Sequence, residues 1–201
     1  MGNWFDNLFS DETPLSGGDK VETAVRIGEW TANTGGDTNI GGRTSKVCLD
    51  CVSGFMTEAG LPMPSTSSVP VFIDAMEGNK VRLWEHDEMA MTTVEGDPRV
   101  WADHKKYARV DNPKDLQPGD ILIVESHNNQ YHGLHSALVT NVEGTSEGWS
   151  MFTGVDIVHD KGSAYNVQQD QYEWWELEHG EGKGSQQGNR KFHTAYRYIG
   201  D

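Results

Sequence analysis

The sequence predicts an α+β protein in which helices on the N-terminal side pack on an antiparallel sheet of about five strands. Three observations carry this expectation. Up to residue 76 apolar residues recur at three- and four-residue spacings, whereas beyond Leu116 they form short blocks bounded by turn residues. The composition, 35% hydrophobic and 23% charged with 23 glycines, suits a loop-rich mixed fold better than a helical bundle. A chain of 201 residues is long enough for one domain with a core of its own, assigned here to residues 17–201, behind an apolar peptide at 1–16.

In that peptide Met1, Trp4, Phe5, Leu8 and Phe9 make an apolar face, which either packs back on the domain or docks on a larger assembly. A first helix is expected from Gly18 to Thr34, with Asp19 as its cap, Glu22 three positions on, and Val21, Ala24, Val25 and Gly28 on one side. The glycine-rich loop TGGDTNIGGRT then leads to a second helix, for which Thr44 or Ser45 offers a capping hydroxyl. Its buried stripe is Val47, Cys48, Cys51, Val52, Phe55, Met56 and Ala59, and Gly60, Pro62 and Pro64 end it. Next come a short helix in SSVPVFIDAMEGN, a short strand in KVRLW, an irregular acidic insertion from Glu85 to Val100, and a short helix from Val100 to Tyr107. Pro118 and Gly119 turn the chain into a strand at Ile121 to Glu125, the loop SHNNQYHG, and a second strand at Leu134 to Val142 with His135 at its head. WSMFTGVDIVH gives a third strand. Tyr172 to Glu178 and Arg190 to Ile199 give two more, joined by GEGKGSQQGN.

A net charge of −15 argues against nucleic acid as a partner, because phosphate binding needs a surplus of Lys and Arg. It equally disfavours adhesion to an anionic membrane or a teichoic-acid-rich wall. Neither a basic segment followed by an apolar run at the N-terminus nor eighteen consecutive apolar residues occurs, so neither Sec export nor an integral membrane segment is expected. Two cysteines three positions apart cannot build a disulfide framework.

Three constellations of reactive residues compete. Cys48, in the first turn of a helix, feels the partial positive charge that favours thiolate, and His135 can serve as its base when a third polar group orients the imidazole. Cys48, Cys51, His132 and His135 together also make a four-ligand zinc set. Cys-x-x-Cys at a helix start is, thirdly, the arrangement of a redox dithiol. The bland reading makes both cysteines small apolar core residues.

The segment from Cys48 to Pro64, with Val52 four residues after the cysteine and Gly60-Leu61-Pro62 beginning twelve after it, resembles the nucleophile helix of NlpC-type and CHAP-type papain-like peptidases. Leu116-Gln117-Pro118-Gly119-Asp120 resembles the turn before their central hairpin. Gly133-Leu134-His135-Ser136-Ala137-Leu138-Val139 is similar to their Gly-His-x-Ala-x-Val strand, with Leu134 interposed. Two departures stand out: Val47 precedes the cysteine where the family often has Asp, and Cys51 occupies the place of an aromatic residue. The spacing to Gly60 selects Cys48 over Cys51.

The resemblance implies a papain-like fold and a thiol hydrolase of peptidoglycan, an endopeptidase or amidase working through an acyl-enzyme without cofactor or metal. Cys48 would attack, His135 would act as base and then acid, and backbone N–H groups near Cys48 would hold the oxyanion. The third polar residue of the family lies on the strand after the histidine strand. That region offers Asp156, His159 and Thr153, of which Asp156 is chosen. The expected partners are a peptidoglycan peptide and, with delivery to the periplasm by a phage or a secretion system, an immunity protein or a virion or secretion component. A non-catalytic or zinc-stabilised structural part of such an assembly is the alternative.

Overall fold

A computed structural model describes residues 16–34, 48–83, 97–128, 131–144, 154–160, 167–180 and 189–200. Helix α1 spans Gly17–Thr34 and starts earlier than its sequence predicts. Ser16 is the cap: its hydroxyl accepts from the Asp19 N–H at 3.3 Å, while the Asp19 carboxylate accepts from the Ser16 N–H at 3.1 Å and hydroxyl at 2.7 Å. Asp19 therefore closes the capping box from the third helical position instead of capping the helix itself. Helix α2 is described over Cys48–Glu58, and the proposed caps Thr44 and Ser45 lie outside the described residues. It ends as its glycine and prolines require, with Gly60 at φ 77° and the Leu61 N–H returning to the Met56 carbonyl at 2.9 Å. Helix α3 covers Val69–Met76 with Pro70 in its first turn, where no intrahelical donor is lost.

A two-stranded ribbon follows, β1 (Lys80–Val81) against β2 (Arg99–Val100). The main sheet comprises β3 (Tyr107–Val110), β4 (Ile121–Asn128), β5 (Tyr131–Val142), β6 (Gly154–Asp160), β7 (Val167–Glu173) and β8 (Asn189–Tyr198), with helix α4 (Trp174–His179) before β8. It has six strands in the order β3-β8-β4-β5-β6-β7, and every neighbouring pair is antiparallel. The last strand of the chain is thus inserted between β3 and β4.

The α+β class stands, and the strand count is six against about five expected. The added strand is β3. The helix expected at Val100 to Tyr107 is only a 3-10 turn at His104–Lys106, and the chain extends directly after it because β8 supplies the ladder. The loop expected at Ser126 to Gly133 is largely strand, so His135 is the fifth residue of β5 and not its head. The strand expected at Tyr172 to Glu178 belongs to two elements. β7 ends at Glu173, and the Trp-rich run is helix α4, which Gly180 terminates at φ 71° with its N–H on the Glu176 carbonyl.

Two cores lie on the two faces of the sheet. Ile121, Ile123, Leu138, Val158 and Tyr196 pack under α1, α2 and α3. Leu122, Val124, Ala137, Val139, Val155 and Ile157 face the other way, against Trp174 and Leu177 of α4. Each fully buried Leu or Ile among them contributes about 1.5 to 3 kcal/mol of transfer free energy.

The turn before β4 joins three parts of the fold. Gly119 has φ 92°, and a Cβ there would stand 2.1 Å from Val21 Cγ1 of α1. Asp120 is fully buried, and its carboxylate accepts from the Gln117 N–H and from Arg197 Nε and Nη2 of β8, each at 2.8 Å. Removing that carboxylate leaves a guanidinium and an amide without their acceptor. Asp120→Ala should lower unfolding free energy by about 3 kcal/mol, read as a shift in the denaturant midpoint at constant slope.

Candidate active site

Cys48 is the first residue of α2, half-buried, so its sulfur sits where the unpaired amides of the first turn concentrate partial positive charge. The strand beneath it supplies a second donor. Along β5 the Val139 N–H goes to the Asp120 carbonyl on the β4 side at 2.9 Å, so by alternation the Ser136 N–H points towards β6. The ladder between β5 and β6 runs from Val142↔Val155 to Leu138↔Val158 and goes no further. Beyond it, the Ser136 N–H donates to Cys48 Sγ at 3.4 Å. The sulfur takes the place of a ladder carbonyl, and both surrounding dipoles favour negative charge on it.

His135 immediately precedes that amide, and its side chain shares the face of Val124, its cross-strand partner. Its Nε2 lies 3.0 Å from Nδ1 of His159 on β6, the two rings crossing at 87° with centroids 4.9 Å apart. From His159 the contacts continue onto β7. His159 Nε2 is 3.0 Å from the Gln168 side-chain amide and 3.8 Å from Asp170 Oδ2. The register explains this: His159↔Gln168, Ile157↔Asp170 and Val155↔Tyr172 are paired, so Gln168, Asp170 and Tyr172 project from one face of β7 beside His159. Arg190 of β8 completes the cluster, with Nη1 3.6 Å from Asp170 Oδ2 and its guanidinium carbon 4.5 Å from the Tyr172 ring centroid.

The setting shifts the charges of these groups. Burial, then His159 and Arg190, pushes the His135 imidazole down to about 3, so it is neutral at physiological pH and its protonated form is disfavoured. The neighbouring His159 holds the Asp170 carboxyl below its ordinary value against the opposing effect of burial, with the Gln171 N–H and Arg190 adding to it. Glu176 of α4 is pushed up to about 7, chiefly by burial, with Arg190 opposing. Burial also raises the Tyr172 phenol, with Arg190 opposing. Tyr172 OH and Glu176 Oε1 are buried without a hydrogen-bond partner among the described residues.

Of the three residues expected to act together, the structure sets Cys48 beside the amide that follows His135. No hydrogen bond joins the thiol to the imidazole among the described residues. Asp156 does not meet His135, whose neighbour on β6 is His159. It lies three residues before His159, hence on the opposite face of β6, where it accepts from the Asn141 amide at 3.1 Å and the Gln171 amide at 2.8 Å. Thr153 and the His132 side chain fall outside the described residues. Cys51 is 4% exposed in the core beneath the helices, while His135 is bonded to His159, so those two members of the expected zinc set do not converge. Gln168, Asp170 and Arg190 were absent from the sequence reading. The available signal was the period-two polar stripe Gln168, Asp170, Tyr172 in a segment not recognised as a strand. No family model, curated protein or solved structure matches this chain.

The buried groups give stability a pH dependence of two signs. Unfolded His135 takes up a proton near 6.5 and folded His135 only near 3, so its contribution is complete above 6.5 and is lost as pH falls through that window. Glu176 acts oppositely: its ordinary value is 4.5 and its folded value about 7, so stability falls as pH rises between them. Glu176→Gln should therefore stabilise the protein at pH 8 by about 1 to 2 kcal/mol and much less at pH 4.5, measured by denaturant unfolding at both values.

Proposed function

We propose that the chain is a cysteine hydrolase of peptidoglycan, an endopeptidase or amidase that cuts through a thiol acyl-enzyme. The observation that carries this reading is the sulfur on α2 held by the Ser136 N–H, the amide next in sequence to a neutral histidine that is chained to a second one. In the reaction Cys48 Sγ adds to the scissile carbonyl carbon, and the first-turn amides of α2 face the charge that develops on the oxygen. His135 takes the thiol proton as the sulfur attacks and passes it to the departing amine. It then takes one from the water that cleaves the thioester and returns it to the released sulfur.

The base nitrogen is His135 Nδ1, because Nε2 is committed to His159. Nδ1 must reach the thiol around the free edge of β5, beyond the last β6 pair. Catalytic hydrogen bonds are commonly long before substrate binds, and side-chain rotation at Cys48 and His135 is the movement this reading requires. The third, orienting group is His159. The resemblance of three ordered motifs to NlpC-type and CHAP-type enzymes supports the substrate class, and the net charge of −15 favours the thin Gram-negative wall over one rich in teichoic acid. Delivery by a phage or a secretion system belongs to the same proposal.

Digestion of purified Gram-negative peptidoglycan, with fragments identified by mass spectrometry, tests it. Wild type should release new fragments. Cys48→Ala and His135→Ala should abolish them, His159→Ala should reduce the rate by about 10²-fold, and Cys51→Ala and Asp156→Ala should stay within a few-fold of wild type. Biological activity that survives intact in Cys48→Ala would instead establish the non-catalytic structural role.

A further inference from the structure

The chain of contacts Gln168, His159, His135 can carry its protons in either of two senses. In one, the Gln168 amide nitrogen donates to His159 Nε2, His159 Nδ1–H donates to His135 Nε2, and the remaining proton of His135 sits on Nδ1. In the other, the Gln168 oxygen accepts from His159 Nε2–H, His159 Nδ1 accepts from His135 Nε2–H, and His135 Nδ1 keeps a bare lone pair. The 3.0 Å separations are the same for both, and a terminal amide satisfies either by a half-turn. Gln168 therefore cannot choose.

A further group at the same nitrogen breaks the tie. Asp170 Oδ2 is 3.8 Å from His159 Nε2. A carboxylate has only acceptors, so it favours the sense with a proton on that nitrogen and disfavours the one with a lone pair. Arg190, whose side chain is 13% exposed, keeps Asp170 ionised and in place from 3.6 Å. It comes from the start of β8 and reaches across to β7, where it also covers the Tyr172 ring at 4.5 Å.

We infer that Asp170, held by Arg190, is the positioning residue that fixes the proton order of the two histidines and leaves His135 Nδ1 unprotonated. This rests on the reading of His135 as a base, yet the proton order is measurable without any activity. Two-bond ¹⁵N–¹H imidazole spectra of the full chain at pH 7 report the tautomer of each histidine.

Wild type should show His135 and His159 as Nε2–H tautomers. Asp170→Asn should move the His135 tautomer ratio by about tenfold towards Nδ1–H, and Asp170→Glu should restore most of the wild-type order. Gln168→Leu, which removes the ambiguous amide and keeps the carboxylate, should leave His135 Nδ1 bare. Wild type or Gln168→Leu with His135 protonated on Nδ1 overturns the inference, as does a well-folded Asp170→Asn with unchanged tautomers. Should Asp170→Asn fail to fold, Gln168→Leu decides alone. In the peptidoglycan assay Asp170→Asn should lower kcat about tenfold at unchanged KM. Tautomers as stated in a wild type that cuts nothing would sink the hydrolase proposal and leave this inference standing.

Discussion

Alternation along β5 governs the rest of the molecule. Leu134 and Leu138 face the helices and Ala137 and Val139 face the second core, because successive side chains of a strand point to opposite sides. Ser136 falls between, with its N–H directed into the plane of the sheet towards β6. A slip of one residue would bury the wrong set on both faces at once, so the two cores fix the register together. That register determines which atoms of the strand meet Cys48: a backbone amide, with the imidazole of the preceding residue turned to the other side.

The early departure of β6 from β5 gives this arrangement its chemistry. Within a continued ladder the Ser136 amide would have been spent on a carbonyl. Released from pairing, it meets the sulfur at the start of α2, so helix dipole and strand amide act on one atom. The thiol stands at a sheet edge instead of inside either core. Cys48 is half-buried there, whereas Cys51 is packed into the core.

On the far face, burial does the tuning. His135, His159, Gln168, Asp170, Tyr172, Glu176 and Arg190 form a polar cluster beside an apolar core, where each unmatched charge is expensive. The responses differ in direction and agree in cause. The imidazole of His135 sheds its proton and the carboxyl of Glu176 retains one, each becoming neutral where water is excluded. Asp170 is held below its ordinary value with His159 3.8 Å and the Arg190 guanidinium 3.6 Å away. The buried hydroxyl of Tyr172 and oxygen of Glu176 without partners mark the places where the cluster is least satisfied.

What the sequence determined by itself is local. Apolar spacing located α1 and α2, the Gly60 and Pro62 signals ended α2, and Pro118-Gly119 announced the β4–β5 hairpin, because each depends on neighbours a few residues apart. Cys48 on α2 and His135 on a strand of that hairpin were legible for the same reason. Only the tertiary structure decided that Tyr107–Val110 is a strand, since its ladder comes from the end of the chain, and that WWELEH is helical despite residues that favour strands. It also decided the partner of His135. Asp156 and His159 are equally polar and equally near in sequence, and the choice between them follows from which face of β6 packs beside β5. No local pattern encodes that, nor the meeting of Asp170 with an arginine from β8, because both are products of strand order.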